Sequence, residues 1–219
     1  MSQISSRNDP IRDAATLALL VVDVQYYVAK PGEGEHADVD PAAIPEDLAY
    51  YFERIEGTML PNIRKLQDSV RAAGGEVVFT TVENLTDDGR DRSLDYKLSG
   101  IYVQRGSRQA QVLEEIAPMG DEMRFAKSTS SVFNSTNIEF VLRNLGITHL
   151  IVTGLLTDQC VISAVRDACD RGFVVIVPED ACGTYSKDRH DWALNLTKGY
   201  CRLLETETLD RELRGLVTA

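Results

Sequence analysis

His149-Leu-Ile-Val-Thr-Gly-Leu-Leu-Thr-Asp-Gln-Cys160-Val-Ile-Ser-Ala-Val-Arg-Asp-Ala168 runs from a β-branched apolar stretch, through Gly154 and the turn formers Thr157 and Asp158, into a helical pattern that begins almost at Cys160. The stretch reads as strand, turn and helix, and a chain built from such units folds as α/β. It also puts a thiol at a strand-to-helix junction. Unpaired backbone N–H groups and the positive end of the helix macrodipole favour a thiolate there. A cysteine taken without context reads as a small buried hydrophobe. The junction makes Cys160 a candidate nucleophile instead.

Three more apolar runs have the same near-continuous character: Leu17–Asp23, Glu76–Val82 and Phe173–Val177. Continuous rather than alternating hydrophobicity is expected of parallel strands covered by helices on both faces. Weaker strands are expected around Met123–Ala126 and Arg202–Thr206. Between them, Met59–Ala73, Asn137–Leu145, Cys160–Arg171 and Asp188–Lys198 carry helical spacing, and the first three stop at Gly74, Gly146 and Gly172. The expected fold is a three-layer α/β/α arrangement around a central, mainly parallel sheet of about six strands.

At 219 residues the chain can bury one substantial core and is short for two, so residues 1–219 read as a single domain. Its 43% apolar and 26% charged residues are those of an ordinary globule. A formal net charge of −11 argues against binding nucleic acid or an anionic membrane surface. Met1–Pro10 has no signal-peptide core, and no apolar run reaches membrane-spanning length. The four cysteines, Cys160, Cys169, Cys182 and Cys201, form no CxxC pair, and three histidines leave few ligands for zinc. The expectation is a cytoplasmic protein in a reducing setting, with no cofactor and no metal.

In sheets of this kind ligands bind at the carboxyl ends of the strands. The polar residues there are Asp23 ending the first strand, Glu83 and Asn84 after the second, Lys127 after the weak third and Cys160 after the fourth. No GxGxxG or GxxxxGK[ST] follows any strand, which removes the main support for dinucleotide or P-loop chemistry. A carboxylate, an ammonium and a thiol make a coherent kit: the aspartate takes the thiol proton, the lysine steadies the thiolate, and the thiol attacks a carbonyl carbon. Taken singly, Asp23 also reads as a turn cap and Lys127 as a surface lysine. Two long connections, Tyr26–Leu48 with its acidic run and Asn84–Pro118 with Arg90, Arg92 and Arg105, interrupt the rhythm and read as lids over a site.

Three stretches together, Ala18-Leu-Leu-Val-Val-Asp23-Val-Gln25, Lys127 with Ser130-Ser-Val-Phe133-Asn-Ser-Thr136, and Leu150 to Val161 continuing through Arg166-Asp167-Ala168, Gly172 and Glu179-Asp180-Ala181, resemble the isochorismatase-like cysteine hydrolase superfamily, specifically its amide-cleaving branch. The resemblance extends over about Leu17 to Leu204. It implies a catalytic triad of Asp23, Lys127 and Cys160. It also implies a non-proline cis bond between Leu155 and Leu156 and an oxyanion hole from the backbone N–H groups of Leu156 and Cys160. Retention of the cysteine implies C–N hydrolysis of a small amide, carbamoyl or ureido substrate. The alternatives are vinyl-ether hydrolysis with Asp23 as acid, and a binding protein on the same scaffold.

Nicotinamidases in this superfamily carry a metal site of an aspartate and closely spaced histidines after the second strand. This chain has Glu83-Asn-Leu-Thr-Asp87 there, which argues against both a metal and nicotinamide. His36 reads as solvated, and His149 and His190 as structural or exposed. Tyr26, Tyr27, Glu83, Phe133 and Asn134 are the candidate pocket residues, while Arg105, beside Arg90 and Arg92, reads either as a fork for a substrate carboxylate or as part of a solvated charged loop that contacts a neighbouring subunit. The resemblance further implies a homodimer or homotetramer.

Overall fold

The computed structural model describes residues 6–217. Residues 1–5 of the stretch read for targeting signals, and residues 218–219 of the expected domain, lie outside the described residues. The strands are β1 (Leu17–Val22), β2 (Glu76–Val82), β3 (Met123–Lys127), β4 (His149–Leu155), β5 (Val174–Pro178), β6 (Cys182–Gly183) and β7 (Arg202–Leu204). The helices are α1 (Tyr26–Ala29), α2 (Glu46–Arg54), α3 (Leu60–Ala73), α4 (Leu94–Leu98), α5 (Val132–Ser135), α6 (Ile138–Asn144), α7 (Ile162–Asp170), α8 (Lys187–Thr197) and α9 (Thr206–Val217).

The sheet is parallel throughout, in the order β3-β2-β1-β4-β5-β7, with β6 pairing beyond the end of β5 against the last residues of β4. β1 lies at the centre, with Val22 opposite Thr80 of β2 on one side and Gly154 of β4 on the other. Every residue of β1 is buried. Leu17, Leu19 and Val21 face a cluster holding Ile63, Leu66 and Val70 of α3 and Leu209 and Leu213 of α9. Ala18, Leu20 and Val22 face the opposite cluster with Ile138 and Leu142 of α6 and Ala164, Val165 and Ala168 of α7. Side chains alternate across a strand, so an unbroken apolar run supplies both faces at once. This is the three-layer arrangement the sequence implies.

The chain winds outward from β1 through β2 to β3, then crosses back to β4 on the other side of β1. That reversal opens a crevice at the carboxyl ends of β1 and β4. At its floor Gly154 has φ +109, and a Cβ there would overlap the carbonyl oxygen of Val22. Only glycine lets the two backbones approach so closely.

Differences from the sequence expectation are local. Asp23 is not the last strand residue but follows it with φ +53, a left-handed conformation in which aspartate is tolerated. Lys127 ends β3 rather than following it. The helix expected from Cys160 begins at Ile162, because Thr157–Val161 forms a wider π-type turn first. Strand β6 and helix α9 were not foreseen: two residues carry no periodicity, and α9 is recognisable only by the spacing of Leu209 and Leu213.

Candidate active site

Three strand ends bring Asp23, Lys127 and Cys160 together. Lys127 is 1% exposed, Asp23 3% and Cys160 8%, so the group is shielded from bulk water. Thr80 of β2 fixes the carboxylate: its Oγ1 donates to Asp23 Oδ1 at 2.7 Å, while the Asp23 N–H donates to the Thr80 carbonyl at 3.1 Å. Lys127 Nζ donates to the Thr129 carbonyl at 3.0 Å, to the Tyr96 hydroxyl at 3.1 Å and to Cys160 Sγ at 3.3 Å. An ammonium has three protons, and these bonds use them. Asp23 Oδ2 lies 2.8 Å from Nζ at ion-pair distance but outside hydrogen-bonding angles, and it has no hydrogen-bond partner among the described residues. The pair thus keeps its attraction, with Oδ2 held by the ammonium charge rather than by a hydrogen bond.

The electrostatics correct one expectation. Burial pushes the Cys160 thiol up to about 12; Lys127 opposes this, and the Asp23 charge adds to it. Desolvation outweighs the cation, which favours the neutral thiol over the thiolate. Lys127 behaves oppositely. Burial, the largest single influence, draws its pKa down, but Asp23, Cys160 and Tyr96 together outweigh burial and hold it above the ordinary lysine range. The peptide bond between Leu155 and Leu156, at the exit of β4, is cis.

Above the thiol opens a cleft of about 430 Å3, part of it open to solvent, bordered by Asp23, Gln25, Tyr27, Glu35, Tyr96 and Cys160 among others. Of the pocket residues expected from sequence, Tyr27 is there. Tyr26 is not: its ring turns into the core and is covered by the Arg108 guanidinium, 4.0 Å from its centroid. Glu83 is held by Arg124 at 2.5 Å and by the Gly106 N–H at 2.8 Å, which ties the 84–118 connection to the sheet. Phe133 packs in the core against Phe173, and Asn134 is exposed near Arg171. Arg105 is exposed and outside the cleft, Arg90 pairs with Asp88, and Arg92 donates to the Gly89 and Ile101 carbonyls. None of the three arginines forms a fork for a carboxylate at the cleft.

The histidines are likewise structural. His36 is buried rather than solvated, ringed by Tyr51, Phe52 and Tyr185. His190 bonds Thr157 Oγ1 at 2.9 Å and so braces the turn that carries Cys160. His149 sits at the start of β4, at the opposite end of the strand from the thiol. Among the described residues no three His, Cys, Asp or Glu side chains gather as a metal site requires.

Three cleft residues went unread in the sequence. Tyr96, on α4 of the long connection, reaches Lys127 and lies 3.8 Å from Cys160 Sγ. Gln25 accepts from the Val82 N–H at 2.6 Å and donates to the carbonyls of Val82 and Gln109, pinning β2 and the same connection together. Its signal is a glutamine three residues past a buried strand. Glu35 lies within the acidic run of the Tyr26–Leu48 connection, from which the sequence singles out no residue for the site.

The isochorismatase domain family matches residues 17–208. Nicotinamidase 3 of Arabidopsis thaliana is 29% identical over 174 residues, covering 77% of this chain and 86% of that protein. N-carbamoylsarcosine amidase of Arthrobacter sp is 34% identical over 131 residues, covering 58% of this chain and 50% of that one. The structure of a cysteine hydrolase from Pseudomonas syringae pv. phaseolicola 1448A superposes with a TM-score of 0.80 at 22% identity, covering 99% of this chain and all of the other. That likeness speaks to the fold alone. With the family match spanning the whole sheet and all three buried groups, the chain belongs to the isochorismatase-like hydrolase superfamily.

Proposed function

We propose that the protein is a hydrolase of C–N bonds other than peptide bonds, acting on a small amide, carbamoyl or ureido substrate through a covalent intermediate on Cys160. The observation that carries this is the Asp23 carboxylate, paired with Lys127 through Oδ2, beside a thiol whose sulfur accepts a hydrogen bond from the same ammonium. The names of the two amidases among the relatives support the same bond class.

In the proposed sequence Asp23 takes the thiol proton as sulfur bonds to the substrate carbonyl carbon, and the carbonyl π pair moves onto oxygen. The backbone N–H groups of Leu156 and Cys160 are the donors assigned to that oxyanion. Collapse breaks the C–N bond, Asp23 passes its proton to the departing nitrogen, and ammonia or an amine leaves a thioester (a thiocarbamate for a ureido substrate). Water then gives a proton to Asp23 and attacks the same carbon. Breaking the C–S bond returns the sulfur, which takes the proton back. Lys127 remains an ammonium throughout, lowering the cost of each charged sulfur. The proposal includes a homodimer or homotetramer in a reducing cytoplasm.

An ammonia-release screen over small primary amides, ureido acids and carbamoyl amines tests this. Cys160→Ala is expected to lose at least a thousandfold in kcat/KM on any substrate found, as removal of a nucleophile does. Wild-type turnover by that variant would overturn the mechanism. Vinyl-ether hydrolysis makes the reverse demand, with Cys160→Ser mild and Asp23→Asn severe.

A further inference from the structure

Among the described residues Glu35 is the one carboxylate on the cleft besides Asp23, and the fold holds it there. It sits in the short turn Gly34–His36, whose Gly34 has φ +50 and rests so closely on the Tyr27 backbone that a Cβ would overlap it. The next residue, His36, is anchored in its aromatic cage. Tyr185 donates its hydroxyl to Glu35 Oε1 at 2.8 Å, and His36 Nε2 is 3.4 Å from the same oxygen. The other oxygen, Oε2, accepts no hydrogen bond among the described residues, and the side chain is 28% exposed.

The cations nearby are engaged elsewhere. Arg189 pairs with Asp158, Arg108 pairs with Glu33, and Arg92 donates to two carbonyls. Among the described residues no lysine or arginine borders the cleft. The Glu35 charge is correspondingly felt: Tyr27 and Tyr185 both have raised pKa values, burial being the first cause and Glu35 the second. A substrate carboxylate would meet Glu35, and Asp23 already paired with Lys127, with no basic fork to receive it.

We propose that Glu35 is a second substrate anchor, taking an N–H or ammonium group at the end of a short amide remote from its scissile carbonyl, so that the protein favours amides with donor ends over those with carboxylate ends. This rests on the amidohydrolase reading.

The test uses 3-aminopropanamide, malonamide and malonamate, which share one chain length and end in an ammonium, a neutral amide and a carboxylate. Wild-type kcat/KM is expected to be at least about tenfold higher for either donor end than for the carboxylate, the ratio falling to within about threefold in Glu35→Gln through KM, with kcat little changed. An ammonium end ahead of the neutral end assigns the recognition to charge, and equal rates assign it to N–H donation; both support the anchor. Protection of Cys160 from iodoacetamide by the same three compounds gives a readout independent of turnover. Ordered protection without turnover sinks the proposed reaction and keeps the anchor. Turnover with malonamate preferred, or with ratios unmoved in Glu35→Gln, overturns the anchor and keeps the reaction. Neither turnover nor protection overturns both.

Discussion

Lys127 shows how a residue that reads as a surface lysine becomes a central one. Its side chain is fully enclosed, and its three protons go to a carbonyl, a phenol and a sulfur. A buried charge survives only with a counter-charge and satisfied donors, and Asp23 supplies the former. Lys127→Met is therefore expected to cost about 3–5 kcal/mol, because it strands the carboxylate. Denaturant unfolding measures this, and a loss below about 1 kcal/mol would mean the pair is not the buried unit described. The thiol makes a second prediction. Its pKa is raised, so the neutral form persists to about 12 and no titration of Cys160 falls in the ordinary thiol range. With Asp23 as base, kcat/KM should cross that range, about pH 8 to 9, without an inflection. An inflection there, lost in Cys160→Ser but kept in Asp23→Asn, would instead point to a free thiolate.

Among the elements, the turn Thr157–Val161 matters most, because it aims Cys160 and is braced from α8 by His190. Burial first, and the Arg54 charge second, lower the His190 pKa to about 4 from an ordinary 6.5. The folded state thus favours the neutral ring. Its contribution is complete above pH 6.5 and is lost as pH falls through about 4, since the unfolded chain then binds the extra proton more readily. Stability should decline by up to a few kcal/mol over that window, and His190→Asn should flatten that part of the curve. Chemical denaturation at stepped pH would read it, and an unchanged slope in the variant would remove His190 from the explanation.

Across the whole molecule, legibility in the sequence follows the kind of physics involved. Unbroken apolar runs announce buried parallel strands, and strand ends in such a sheet converge by topology, so Asp23, Lys127 and Cys160 could be read together. Tyr96 and Glu35 could not, since they come from connections with no periodic pattern and are placed by tertiary packing. Tyr96 meets the thiol because Gln25 and Glu83 tie the 84–118 connection over β2. Glu35 meets the cleft because Gly34 and His36 press its turn onto Tyr27 and the aromatic cage. Tyr26 and Phe133 fail for the same reason in reverse, since proximity in sequence to a catalytic strand does not fix which way a side chain turns, and Arg105 fails because a guanidinium in a long connection has no fixed aim.

The most direct test of covalent catalysis is the partition of products in hydroxylamine. Two substrates sharing one acyl group but releasing different amines are hydrolysed side by side, and the hydroxamate-to-acid ratio is measured for each. A common acyl-enzyme on Cys160 predicts the same ratio from both at a given hydroxylamine concentration, because the leaving group has departed before the choice is made. A ratio that depends on the leaving amine, or acid alone at every hydroxylamine concentration, would contradict it.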